Sequence, residues 1–273
     1  MRYVLLFLLS SFILTAQDSK DLEFYDITYQ YTYYSKASSK TPRIELASVF
    51  MKDSIRVFQM DKNRKLDSLK FLGIASDNDR STYFTKNRYT IEWHGDTVTY
   101  FEESGNYSYY YTERLKHRWQ LVNETKTING IACRKATVNY GGRSWTAWYA
   151  VSLPMNAGPY KFQGLPGLIV KISDTTGIYD FELVSLKKEP YLLLKKYPVT
   201  NSTLEAVKTE RLTFNELKSK WQKLSLNESM ALMANPNQGM FSISLDTNSS
   251  NIDMSALGNR SVTDINYIEI DHE

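Results

Sequence analysis

The chain has three histidines, His94, His117 and His272, and none stands in a spacing that holds a metal. The H-x-H, H-E-x-x-H and cysteine-paired patterns are missing. The run Asp77-Asn78-Asp79 lacks the sixth-position glycine of a calcium loop and has Arg88 where its glutamate belongs. His272, next to the last residue, is expected in solvent. There is no G-x-S-x-G elbow and no S-x-x-K with its partner motifs. Glu102 and Glu103 would alternate to opposite faces of a strand. Asp180 and Glu182 share a face but read as the wet side of an alternating strand, not as a glycosidase pair. No metal, cofactor or catalytic residue is implied. Cys133 is the single cysteine, so an intrachain disulfide is impossible. Flanked by Ile131, Ala132, Ala136 and Val138, it reads as a small buried hydrophobe, with Lys135 on its side of the strand and Arg134 on the other.

The stronger signal is aromatic. Trp145, Trp148, Tyr149, Tyr160 and Phe162 fall in one short stretch, with Arg143 and Lys161 among them. Such rings either plug one end of a sheet or line a concave surface for a lipid, peptide or glycan, with Arg143 and Lys161 at its rim. Immediately after comes Gly164-Leu165-Pro166-Gly167-Leu168-Ile169. Its Pro-Gly pair predicts a type II turn, with positive φ at Gly167, feeding a strand.

That run resembles the signature of the GLPGLI family, secreted proteins of Gram-negative bacteria with no established biochemical role. Gly130, Cys133, Lys135 and Ala136 resemble the family's G-x-x-C-x-K-A strand. Gly142-Arg143 with Ala147-Trp148-Tyr149 resembles its G-R … A-W-Y segment, and Gly158-Pro159-Tyr160-Lys161-Phe162 its loop. Tyr267-Ile268-Glu269 echoes a terminal N-P-I-E pattern. The family has no agreed catalytic residues, so the resemblance assigns none. The same layout resembles, as an analogy of fold, the half-barrel of periplasmic lipoprotein carriers.

The elements that must position these residues read mainly as β. Ile27, Tyr29, Tyr31 and Tyr33 alternate with Thr28, Gln30 and Thr32. Further strands are predicted at Ile44–Lys52, Ser54–Met60, Ser81–Lys86, Arg88–His94, Thr97–Glu102, Asn106–Tyr111, Ala132–Tyr140, Arg143–Val151, Gly167–Ser173 and Tyr179–Lys187. Turn chemistry at Lys52-Asp53, Lys62-Asn63, Gly95-Asp96, Gly141-Gly142 and Thr176-Gly177 joins them. The expected architecture is an antiparallel meander curled into an open barrel or sandwich, with one or two helices from the C-terminal half packed on it. One helix is predicted at 213–225 from the Thr213–Glu216 capping box and the spacing of Phe214, Leu217, Trp221 and Leu224. A weaker one is predicted at Leu204–Glu210.

Residues 1–16 read as a secretory signal: Arg2, an apolar Tyr3–Leu14 and Thr15-Ala16 before Gln17. The apolar run is shorter than a membrane-spanning helix needs. Residues 17–226 are read as one β-rich domain, 227–261 as a low-order Asn/Ser-rich excursion, and 262–273 as a last strand and tail. Without Arg2, Lys plus Arg falls from 33 to 32, against 30 Asp plus Glu. Near-balanced charge without a basic block or a reading motif argues against nucleic acid. The expectation is an exported, periplasmic or secreted envelope protein that binds an apolar ligand or another envelope protein without catalysis. A secreted hydrolase with a scattered site is the alternative.

Overall fold

The computed structural model describes residues 23–34, 39–76, 79, 82–83, 85–104, 107–190, 206–215 and 218. The expected signal segment, the 227–261 excursion, the last strand and most of the 213–225 helix lie outside the described residues. The protein is a mainly β fold built on one curled, unclosed sheet. Its strands are β1 (Glu23–Tyr33), β2 (Arg43–Lys52), β3 (Ile55–Met60), β4 (Tyr89–His94), β5 (Thr97–Ser104), β6 (Tyr107–Arg114), β7 (Gln120–Ile128), β8 (Ile131–Tyr140), β9 (Arg143–Ala150), β10 (Leu168–Asp174), β11 (Tyr179–Pro190) and β12 (Ala206–Lys208). They lie in the order β12-β6-β5-β4-β3-β2-β1-β11-β10-β9-β8-β7. Every neighbouring pair is antiparallel except β12 with β6.

The alternation in β1 sets the inner face. Ile27, Tyr29, Tyr31 and Tyr33 are at most 5% exposed, while Gln30 between them faces water. Tyrosine suits this position because a rigid ring packs while its hydroxyl reaches a partner. Consecutive β6 and β7 stand near opposite ends of the strand order, yet only residues 115–119 join them. Six residue steps reach about 20 Å at full extension. The sheet must therefore curl until its two ends nearly meet.

Several local expectations are corrected. Lys62-Asn63 is not a turn but lies in the helix α1 (Asp61–Phe71). Asp61 in the first turn and Lys70 in the last suit the helix dipole. Leu66 is the side chain α1 buries most clearly, so no apolar period betrayed it. The strand expected at Ser81–Lys86 is absent among its described residues. Thr82 and Tyr83 turn instead, and buried Thr85 donates to Glu45 Oε2 at 2.5 Å. β7 escaped notice because Gln120–Thr127 is exposed on both faces, which leaves no alternation to read. The expected helix at Leu204–Glu210 contains β12 instead. The helical residues that follow begin at Arg211, so Thr213 sits inside the first turn and does not cap it. Phe214 does pack on the sheet, 1% exposed against Tyr100, Tyr109 and Tyr111.

Candidate functional site

The connection between β9 and β10 does not stay outside. From Ala157 to Gln163 every residue is buried, and the loop runs into the curl of the sheet as a plug. Tyr160, at a positive φ of 54°, is wedged edge-on against Phe58 and Tyr89, with ring centroids 6.3 and 5.7 Å away. Phe162 packs on Trp145 at 4.7 Å and on His117 at 5.4 Å. Between them Lys161 is fully buried. Its Nζ donates to the Tyr111 hydroxyl at 2.6 Å and to Glu113 Oε1 at 2.9 Å. The rings of Tyr111, Tyr100, Tyr160 and Tyr140 surround it at 4.7, 5.2, 5.7 and 5.9 Å. Ring quadrupoles and the Glu113 carboxylate help to replace the water that the ammonium has lost.

The signature run forms the plug's exit. Gly167 N–H donates to the Leu165 carbonyl at 2.8 Å, which makes a three-residue γ-turn around Pro166 where a type II turn was expected. Gly167 has the positive φ expected of it, at 158°, a backbone conformation that side chains rarely adopt. Space makes the same demand: a Cβ there would lie 2.2 Å from the Ala150 carbonyl oxygen. Beyond it, β10 carries Leu168, Ile169 and Val170 fully buried, and the Tyr29 hydroxyl donates to the Ile169 carbonyl at 2.8 Å.

Where plug, linker and hairpin meet, the surface opens into a cleft of about 490 Å³. It is lined by Glu113, Leu115, Tyr140, Arg143, Arg211 and the Gly141-Gly142 turn, among others. Arg143 Nη1 pairs with Asp174 Oδ2 at 3.1 Å, with its guanidinium 4.9 Å from the Tyr179 ring centre. Glu113 joins two elements: Oε1 takes Lys161 from the plug and Oε2 takes Arg211 Nε at 3.2 Å. β6, the plug and the 211–215 helical stretch are thus fastened at one carboxylate.

The candidate residues part company. Trp145, Tyr149, Tyr160, Lys161 and Phe162 are at most 4% exposed and belong to the interior, not to an open concave surface. Trp148 has the opposite parity to Trp145 and Tyr149. It stands half-buried on the other face, with Lys126 and Lys135 each 5.8 Å from its ring. Only Arg143 of the set lines the cleft. Glu113, Tyr140 and Arg211 were missed, because nothing local to them signals a partner so distant in sequence.

Among the described residues no acid–base pair forms in the cleft. His94 Nε2 meets Glu92 Oε1 at 2.9 Å, but on the open end of β4, where its side chain is 56% exposed. His117 Nε2 meets the Lys161 carbonyl at 2.9 Å among aromatic rings. Cys133 is 2% exposed, and burial pushes its thiol pKa up, away from reactivity. Among the described residues no three His, Cys, Asp or Glu side chains stand as a metal site, and no helix is long and apolar enough to cross a membrane.

A family model described as "Protein of unknown function (Porph_ging)" matches residues 142–171. That stretch runs from Gly142-Arg143 through the plug to Lys171. The match carries that description and not the GLPGLI name. No curated protein sequence matches the chain. Two crystal forms of PNGF-II superpose with TM-scores of 0.50, at 18% and 17% identity, covering 71% of this chain and 32% of that one. The chain spans about a third of the length of PNGF-II, and the likeness is one of fold. A LolA superfamily protein from Nitrosomonas europaea gives a TM-score of 0.27 at 9% identity, over 62% of this chain and 86% of that one, too distant to inform the reading.

Proposed function

We propose that this chain is an exported envelope protein that binds without catalysing, and that it holds an apolar ligand, or the apolar face of an envelope partner, at the cleft beside the plug. The observation that carries the reading is the make-up of the cleft. Leu115 and Tyr140 give an apolar wall, and Arg143, Arg211 and Glu113 set a few polar groups around it. Asn139 and Ser144 add to the polar side, so the cleft sets a small apolar wall beside groups that can orient a ligand. The Lys161-Glu113 cage lies behind Tyr140, so the wall is backed by rigid packing and not by solvent. The absence of a histidine paired with a carboxylate in this cleft favours binding over hydrolysis. The Arg2, Tyr3–Leu14 and Ala16 pattern supports export.

Titration with a fatty alcohol or an aromatic probe, followed by tryptophan fluorescence, tests this. A saturable change is expected, weakened in Tyr140→Ala and in Arg211→Ala. Trp148→Ala, on the other face, should leave it intact. Loss of the response in Trp148→Ala alone would move the site to the outer face. No saturable response to a lipid, peptide or glycan, with nothing co-purifying in native mass spectrometry, would sink the reading.

A further inference from the structure

Among the described residues three cationic side chains are buried: Lys161 at 0% exposure, Arg143 with its side chain at 8%, and Arg56 at 9%. The first has Glu113 and the second Asp174. Arg56 has no carboxylate within ion-pair distance among the described residues. Its Nη1 donates to the Gln163 side-chain oxygen at 2.5 Å, and its Nε is buried without an acceptor. A buried charge is costly unless paired, and a guanidinium does not escape by losing its proton. Burial pulls the Arg56 pKa down, yet the group stays charged. Among the described residues the site has no counter-ion.

Its surroundings are built, not loose. Arg56 lies in register with Met51 of β2 and Trp93 of β4, both buried, which wall its stem. Gln163 ends the buried run of the plug. Its amide donates to the Gly95 carbonyl at 3.2 Å, and Trp119 Nε1 donates to the Gln163 carbonyl at 2.8 Å. Gly95 and Gly164, beside these contacts, are exposed, so the site borders solvent.

We propose that Arg56 anchors an anion site and that the anion is an organic carboxylate. The Nε edge of a guanidinium is a planar fork that matches two carboxylate oxygens, and Nε is the atom left without an acceptor. One cation balances one carboxylate. A phosphate dianion would bring a second charge to a site with no second cation among the described residues. This goes beyond the cleft reading and stands whether or not the cleft takes a ligand.

Thermal unfolding of the full chain in sodium acetate, against sodium chloride at matched ionic strength and neutral pH, reads the site directly. A saturable upward shift in Tm is expected in acetate and not in chloride. Gln163→Glu places a carboxylate where the amide oxygen already meets Arg56. That variant should melt above the parent in chloride and ignore acetate. Arg56→Leu should lose the acetate response, and should it fail to fold, Gln163→Glu still decides. Equal melting of the parent in acetate and chloride, an acetate response that survives in Gln163→Glu, or a shift with inorganic phosphate but not acetate would each overturn the proposal.

Discussion

The inner face of the sheet buries rings, whereas the outer face under α1 buries hydroxyls and carboxylates. Inside, Phe58, Tyr89, Tyr100 and Tyr111 stack from β3 to β6 at 6.2, 5.4 and 5.1 Å, and Tyr31 stacks on Phe181 at 4.3 Å. Tyr33 donates to Glu45 and Tyr100 to Glu102, while the Tyr89 hydroxyl is buried without a hydrogen-bond partner among the described residues. Outside, the apolar cluster among the described residues is Phe24, Phe50 and Val57. Around it Ser48 donates to Asp61 at 2.7 Å and lies 3.2 Å from the Thr28 hydroxyl, while Arg64 stands 3.6 Å from Asp26 and 3.5 Å from Asp61. Buried area drives folding, while a polar network mostly fixes geometry. The inner face should therefore carry the stability and the outer face the seating of α1. The sheet ends differ in a parallel way. β12 covers β6, while β7 is shielded from strand addition by its bulge at Val122/Thr125 and by charges such as Glu124 and Lys126.

The largest test of this contrast is alkaline unfolding. Burial, first of all, holds the phenols of Tyr29, Tyr31, Tyr89 and Tyr100 well above their ordinary range. A raised folded pKa means that the folded chain keeps its protons longer than the unfolded one. Stability is then complete below about pH 10 and falls as pH rises past it. Four such groups take away roughly 5 kcal/mol per pH unit, at about 1.4 each. The last part of the tyrosinate absorbance, that of these buried phenols, should rise together with the loss of circular dichroism in one steep transition. Full tyrosinate absorbance reached before the fold is lost would show that the inner face is open to water.

Next in size is Glu113→Gln, which takes one carboxylate away from the buried Lys161 ammonium. Removing one partner of a buried pair costs about 3–5 kcal/mol, and the retained Tyr111 hydroxyl and rings place this near the lower end. Lys161→Met, which removes the charge and keeps the stem, should cost less in the same denaturant titration. Equal losses would mean that the pair is not what holds the plug.

The smallest effect belongs to the outer face. Burial raises the Asp26 pKa, against the pull of Arg64, so the folded chain gains relative stability as pH falls into the acid range and loses it as pH rises. Asp26→Asn should change stability at neutral pH by less than about 1 kcal/mol, and its difference from the parent should shift between pH 7 and pH 4. A loss as large as that of Glu113→Gln would erase the distinction between the faces.

Much of this was legible in the residues. Period-two alternation gave β1 its inner face, and the Gly-Asp and Gly-Gly pairs gave the hairpins. Parity alone separates Trp148 from Trp145 and Tyr149. It also puts Arg56 on the side of Phe58 and Met60, a charge at a core position that could have been read from the strand itself. Burial of Cys133 followed from its neighbours. These are consequences of local sterics and of the alternation of side chains along a strand, which act over a few residues. Tertiary structure decided the rest. The stretch from Ala157 to Gln163 looks like any loop until a curled sheet leaves an interior that only it can fill. Glu113 meets Lys161 across 48 residues and Arg211 from the far side of β12. Which distant groups meet is set by how far the sheet curls and by which connection is long enough to enter it, and no short-range pattern encodes either.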